Sequence, residues 1–321
     1  MTTYRGIAGG RVNFLSSDPT YNSTQDDGSV WYNSTTATLR SYQATGAWIS
    51  GGNMPGGNNG LAGAGTQTAA LAFGSRTAPF VSSSFSYNGI AWTGAPNLTG
   101  PVGNGGGAGT QTAALCFAGG PSGAASTQSQ SFNGSAWTNT PSMSTAKTLT
   151  AGGGTQTAAL AASGSPLVST AEKYNGTSWT SAGTVNQQRI NIGAAGPSSA
   201  AIIFGGNSDP GATFYANSEL YNGTSWTNGP TMNVARSMYN GGSGAQTAAL
   251  AAAGDGPSMS DSNQTESFNG TAWTAVANLA TGRRSGASSQ TGSNSSSAFF
   301  GGRSVSTDQS ATEEWNFGVY T

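Results

Sequence analysis

The sequence predicts an all-β fold, a β-propeller of six blades with four antiparallel strands in each, and three observations carry that expectation. A segment reading aromatic-Asn-Gly-x-x-Trp-Thr recurs at Tyr87 to Thr93, Phe132 to Thr138, Tyr174 to Thr180, Tyr221 to Thr227 and Phe268 to Thr274. Between the copies lies a second unit, a glycine-rich stretch, a Thr-Gln-Thr turn and a small apolar run, as in Gly63-Ala-Gly-Thr-Gln-Thr-Ala-Ala-Leu-Ala-Phe-Gly74. The two interlock at one period: tryptophans stand at 48, 92, 137, 179, 226 and 273, in steps of 44, 45, 42, 47 and 47.

The chain carries no repeat over residues 1–27, which are expected to form a separate N-terminal arm, an attachment segment, with the propeller over 28–321. Within 28–50, Ser29-Val-Trp-Tyr-Asn33 and Thr38-Leu-Arg-Ser-Tyr42 read as a hairpin near the closure. The final period ends at Glu313-Glu-Trp-Asn-Phe-Gly-Val-Tyr-Thr321 without its own Asn-Gly-x-x-Trp strand, so the strand around Trp48 is expected to complete that blade. Both ends of the chain then lie in one sheet. A seven-bladed ring, with the N-terminal region as an extra blade, is the alternative.

Within a period, the Asn-Gly pair flanked by an aromatic and a tryptophan predicts a hairpin with a type I′ turn, in which both central residues take positive φ. The run Ala-Ala-Leu-Ala-Phe is too short and punctuated for a helix, and its small side chains let neighbouring sheets approach closely. The glycine-rich unit recurs near Gly107, Gly152, Gly193, Gly241 and Gly286, and several copies close on a glycine pair: Gly119-Gly120, Gly205-Gly206 and Gly301-Gly302. Four short strands cannot shield their own edges, whereas a ring of such sheets can. Two periods depart from the pattern, one with Pro197-Ser-Ser in place of Thr-Gln-Thr and the last with the longer Ser293-Asn-Ser-Ser-Ser. Their blades are expected to be less regular.

Composition removes whole classes of function. With 11 Lys+Arg, 12 Asp+Glu and 7% charged residues, the chain has neither a nucleic-acid footprint nor an anionic-membrane anchor. There is no histidine, and the single cysteine, Cys116, forms neither an intrachain disulfide nor a thiolate zinc site. Cys116 aligns with Ala72 and Ala161 and reads as a buried small hydrophobe. No metal or cofactor is expected. The start lacks the apolar core of a secretory signal, and no 18 apolar residues run together, which suits a soluble product made in a cytoplasm, with no membrane insertion.

A glycine pair, then an aromatic, then a tryptophan, at a period near 45, resembles the kelch repeat. The Gly-Thr-Gln-Thr-Ala-Ala-Leu and Tyr-Asn-Gly-Thr-Ser-Trp dialect is similar to kelch-like proteins of bacteriophage virions and tail fibres, and Asp26-Asp-Gly-Ser-Val-Trp-Tyr-Asn-Ser-Thr-Thr36 is similar to hairpins near the ends of phage fibre proteins. The resemblance implies a non-enzymatic virion structural protein, a tail fibre or appendage component that binds a host surface glycan or protein and packs with other virion proteins in a homo-oligomer or larger assembly. A purely architectural virion subunit and an intracellular kelch-type interaction module are the alternatives. An enzyme ranks third. Kelch-type copper oxidases need histidine ligands, and although Glu219 and Glu266 could serve as a glycosidase pair, their repeated register argues against a unique catalytic role.

Candidate residues follow from register. Trp48, Trp92, Trp137, Trp179, Trp226 and Trp273 are expected to pack between blades. Lys147, Arg189, Arg236 and Arg283 each stand ten residues after a repeat tryptophan; Glu172, Glu219 and Glu266 stand seven before one, and Glu313 two before Trp315. These charges fit either ion pairs stitching neighbouring blades or a ring bordering the channel and meeting a ligand. The Thr-Gln-Thr and Asn-Gly turns lie on one face and barely vary. The loops on the opposite face vary in length and content, and recognition usually resides in such loops. Phe80, Asp209, Phe214, Tyr215, Asp261 and Arg303 are the candidate contact residues there. Gly105-Gly-Gly-Ala-Gly-Thr110 is followed by no helix or lysine and is not read as a phosphate loop.

Overall fold

The computed structural model describes residues 12–19, 29–77, 82–208, 213–257 and 261–320. Among them the regular elements are β-strands, apart from a 3-10 turn at Pro121–Gly123, and no helix is long and apolar enough to cross a membrane. The described strands form seven open sheets: five of four strands, one of six and a two-stranded ribbon, Arg303–Ser304 with Thr307–Asp308.

One repeat shows the plan. Ala62–Thr66, Ala69–Phe73, Ser84–Tyr87 and Trp92–Ala95 pair antiparallel in chain order, from the innermost strand outwards. The same order recurs over 106–139, 151–184, 193–229 and 242–276. The six-stranded sheet runs outwards through Ala287–Ser288, Ser296–Phe300, Thr312–Tyr320, Thr38–Ser50, Val30–Asn33 and Asn13–Leu15. Trp315 stands opposite Trp48, so the early strand lies against the last one. The sheets are arranged as a β-propeller.

Glycine sets how closely these sheets meet. A Cβ on Gly63 would lie 2.3 Å from the Ser288 carbonyl oxygen, one on Gly107 2.3 Å from that of Gly63, and one on Gly153 2.7 Å from that of Gly196. The innermost strands therefore abut backbone to backbone, and only glycine permits the approach.

Further out, side chains take over. Phe73 packs on Trp137 with ring centroids 5.0 Å apart, Phe117 on Trp179 at 5.2 Å, Phe204 on Trp273 at 4.9 Å and Phe300 on Trp92 at 5.0 Å. In each contact the second strand of one sheet meets the outermost strand of the next. The last contact joins the final sheet to the first and closes the ring. Cys116 sits in one of these clusters at 1% exposure, and burial pushes its thiol up to about 12.

The glutamine of the Thr-Gln-Thr turn adds a polar staple. Gln111 Nε2 donates to the carbonyls of Ala70 (3.0 Å) and Tyr87 (2.6 Å) in the preceding sheet, and Gln246 does the same to Ala201 (2.9 Å) and Tyr221 (2.7 Å). Gln156 reaches Ala114 and Phe132, and Gln67 reaches the Trp315 carbonyl at 2.9 Å. Each staple joins a turn to its predecessor.

Two expectations are corrected. The Asn-Gly turn is not type I′: Asn88 N–H donates to the Ala91 carbonyl, leaving Gly89 and Ile90 as the loop, and of these two only Gly89 has positive φ, 88°. The reason is the Asn88 side chain, whose Oδ1 accepts from the N–H groups of both Ile90 and Ala91. Part of the expected separate arm also belongs to the sheet. Asn13–Leu15 lies parallel to Val30–Asn33, and Asp18 accepts from Trp31 Nε1 (3.0 Å) and Asn33 Nδ2 (2.8 Å) while pairing with Arg40 at 2.9 Å. The rest of the arm, residues 1–11 and 20–27, lies outside the described residues.

Truncating Trp179 to alanine removes the partner of Phe117 and is expected to cost about 3–5 kcal/mol in urea denaturation. A variant with the parent's midpoint would contradict this packing role.

Candidate functional site

The four repeated cations are not at the border of a channel. Lys147, Arg189, Arg236 and Arg283 are all 0% exposed and pair with Glu172, Glu219, Glu266 and Glu313, at 3.6 Å for Lys147, 2.5 Å for Arg189 and 3.0 Å for Arg283. Each carboxylate also fixes the segment arriving from the preceding sheet. Glu172 accepts from the N–H groups of Ser144 (2.7 Å) and Thr145 (3.1 Å), Glu219 from Asn186 (2.6 Å) and Gln187 (3.1 Å), Glu266 from Asn233 (2.6 Å) and Val234 (3.3 Å), and Glu313 from Ala280 (2.7 Å). Burial holds the three arginines below their ordinary range against the pull of their partners. These residues lock the connections between sheets and are buried.

Where the register lacks one charge, it lacks both. Val102 stands ten residues after Trp92, and Gln130, seven before Trp137, takes the carboxylate's place and accepts the Thr99 N–H at 2.9 Å. A lone buried charge is costly, whereas a matched neutral pair is not.

The face of the variable loops carries a different arrangement. Around the axis, Gly60, Asn104, Leu149, Asn191, Tyr239, Asn240 and Ser285 line a cavity of about 10 Å³, and every one of them takes positive φ. Their backbones bond tangentially: Asn104 N–H to Gly60, Leu149 to Asn104, Asn191 to Leu149, and Gly60 to Ser285. Asn240 Nδ2 crosses the axis to the Leu61 and Gly105 carbonyls, at 3.3 and 3.1 Å. The axis is thus plugged at this end.

Over the plug runs a polar arc spanning three successive repeats. Asn207 Oδ1 accepts from Asn191 Nδ2 (2.9 Å) and Ser237 Oγ (2.8 Å). Ser237 bridges to Asp255, whose carboxyl is held above its ordinary range by burial and whose Oδ1 has no hydrogen-bond partner. Tyr239 beside it is pushed up to about 12, by burial first and then by Asp255. Arg284 pairs with Asp261 at 3.1 Å and bridges in backbone to Arg303.

Of the candidate contacts, Asp261 and Arg303 meet in this arc through Arg284, and Asp261 also accepts the Val305 N–H. Phe214 and Tyr215 lie at its other end, Phe214 bridged to Asn207 and Tyr215 N–H donating to Gly206 at 2.9 Å. Phe80 and Asp209 lie outside the described residues. The middle of the arc, Asn207, Ser237, Tyr239, Asp255 and Arg284, was missed. A positional signal existed for the ring beneath it, since Gly60, Asn104, Leu149, Asn191 and Ser285 each stand twelve residues after a repeat tryptophan.

No family model matches the chain, and no curated relative is found. The solved structure of YjhT is similar with a TM-score of 0.63 over 84% of this chain and 96% of that one, at 12% identity. At that identity the likeness is one of fold.

Two outcomes are expected. Arg236→Val strands Glu266 and should cost about 3–5 kcal/mol, whereas adding Glu266→Gln, which reproduces the Val102 and Gln130 arrangement, should restore most of it; a double-mutant cycle by urea denaturation measures both. Burial pushes Lys147 down to about 8 from 10.5, with Glu172 opposing. Between those values the unfolded chain holds a proton here that the folded chain has released, so stability rises with pH over about 8 to 10.5. Lys147→Arg, charged throughout, should lack that rise relative to the parent.

Proposed function

We infer that the chain is a non-enzymatic recognition module, a six-bladed kelch-like propeller borne on a bacteriophage virion, where a tail fibre or similar appendage meets a host surface glycan or protein. The observation that carries the reading is the contrast between the two faces. On one, the turns repeat nearly unchanged, each locked by its asparagine side chain. On the other, loops of unequal length surround an arc of Asn207, Ser237, Tyr239, Asp255, Arg284 and Asp261. A rigid ring with one varied polar face suits recognition.

A count of six is supported by the five four-stranded sheets together with the inner four strands of the six-stranded sheet, and by hydrophobic clusters at each junction between neighbours. The kelch and virion parts rest on the repeat dialect. A glycosidase role for Glu219 and Glu266 is disfavoured because each carboxylate is buried against an arginine and two backbone N–H groups.

The test has two arms. Peptides of this chain are expected in mass spectra of purified virions. The purified chain is expected to bind host cells or their envelope polysaccharide, with a loss of about tenfold or more when Tyr215 and Arg303 are both changed to alanine and the melting temperature is unchanged, as for removal of interface anchors. Presence in virions with no cell binding would leave an architectural subunit; absence of both would overturn the reading.

A further inference from the structure

One position in each repeat reaches the loop-face end of the axis. The third residue beyond each second strand, Arg76, Gly120, Ser165, Asn207, Asp255 and Arg303 in turn, meets in backbone the segment that enters the plug. Arg76 does so through its N–H, which donates to the Asn59 carbonyl at 2.6 Å. The ring is ionic on one side only, from Asp255 through Arg303 to Arg76, and the next position, Gly120, has no side chain.

Arg76 is the cation left over. Seven ion pairs hold seven of the described lysines and arginines, and Lys173 Nζ donates to the Gly223 carbonyl at 3.4 Å. The exposed Arg76 side chain has neither a hydrogen bond nor a carboxylate partner among the described residues. Acids of this face are committed elsewhere: Asp261 to Arg284 at 3.1 Å, and Asp308 to Arg303 at 3.8 Å while it accepts from Asn59 Nδ2 (2.7 Å) and Thr77 Oγ1 (2.8 Å). Arg76 also lies within electrostatic reach of the plug, since it and Arg284 both oppose the rise of the Tyr239 hydroxyl.

A second free group stands beside it. A Cβ on Gly60 would lie 2.6 Å from Arg76 Cβ and 2.6 Å from Asn104 Oδ1, so the two side chains flank one point. At the other end of that amide, a Cβ on Gly123 would lie 3.2 Å from Asn104 Nδ2. Asn104 is 8% exposed, and its amide makes no hydrogen bond among the described residues although neither of its polar atoms is sealed off. An arginine fork beside a fixed amide, which offers one acceptor and two donor hydrogens, matches a carboxylate with a hydroxyl next to it.

We propose that the loop-face end of the axis binds the carboxylate of an acidic sugar, a uronic acid unit of a surface glycan, with Arg76 holding the carboxylate and Asn104 exchanging hydrogen bonds with a neighbouring hydroxyl. The inference rests on the reading of the loop face as the recognition face and names its ligand class. A monoanion is favoured over a phosphate dianion because Arg76 supplies a single uncommitted charge, and Gly120 presents no side chain against the sugar ring.

Titrations followed by saturation-transfer difference NMR on the full chain test this, with methyl glucuronide, methyl galacturonide and their methyl esters as probes and N-acetyl-aspartate and inorganic phosphate as competitors. At least one uronide is expected to bind, less tightly as salt rises, and its uncharged ester to bind about tenfold or more weakly. Arg76→Gln, at an exposed position, should lose the same factor with an unchanged melting temperature, and Asn104→Gly, which keeps the positive φ, should weaken binding several-fold. No uronide binding, an ester that binds as tightly, binding unchanged in Arg76→Gln, or either competitor binding more tightly than the uronides would each overturn the proposal. Host-cell binding that is lost when Tyr215 and Arg303 are changed but survives Arg76→Gln would keep the recognition face and overturn this site. Uronide binding by a chain that neither binds cells nor occurs in virions would keep the site and overturn the virion reading.

Discussion

The architecture depends on the approach of one bare backbone to another at the axis. At Gly63, Gly107, Gly153 and Gly242 a side chain of any size would strike the neighbouring innermost strand. Because those strands can touch, the sheets splay outwards from a narrow centre, and the space between them widens towards the rim. Large side chains are then needed at the periphery and excluded from the middle. That explains why the tryptophans belong to outermost strands while the innermost ones are glycine and alanine, and why the core is a set of separate clusters at the junctions.

The same geometry explains where the scarce charge went. A wedge between two sheets is buried but not filled by the aromatic pairs alone, and the connection crossing it carries backbone N–H groups that need acceptors. A glutamate at the third strand satisfies two of these groups and brings a lysine or arginine with it. With most of its repeated charges enclosed, the molecule presents few ionic groups outside, and those described on the loop face include Arg76, Asp255, Asp261, Arg284, Arg303 and Asp308. Contact through hydrogen bonds and shape is the form of recognition such a surface favours.

The period and the two interlocked motifs made the sheet plan legible, because glycine, tryptophan and Asn-Gly each answer a local steric demand that recurs in every repeat. Turn type was not legible: Asn88 satisfies its loop through its own side chain, so that positive φ is needed at Gly89 alone, which the dipeptide does not reveal. The register of Lys147, Arg189, Arg236 and Arg283 fitted ion pairs between blades and also allowed a charged rim, and burial is a tertiary property. One clue was present, in the joint replacement by Val102 and Gln130, since exposed charges need not vanish in pairs. The arc at Ser237, Tyr239 and Asp255 was hidden because its members come from three repeats and differ in type, so no single window displays them.

The staples and the phenylalanine contacts share an omission. Ser198 and the irregular last turn replace the glutamine, and Ala162 and Ala252 stand where Phe73, Phe117 and Phe204 do elsewhere. Both losses fall at the same two junctions, before 193–229 and before the final sheet. There, Trp226 donates to the Ala182 carbonyl and Trp48 to Thr265 Oγ1, as Trp92 does to Thr312 Oγ1 beside its phenylalanine. Those two junctions are therefore held by apolar contact and by the Arg189–Glu219 and Arg283–Glu313 pairs, without the glutamine staple or the phenylalanine. A load applied through the N-terminal strands enters the final sheet, which borders one of these two junctions.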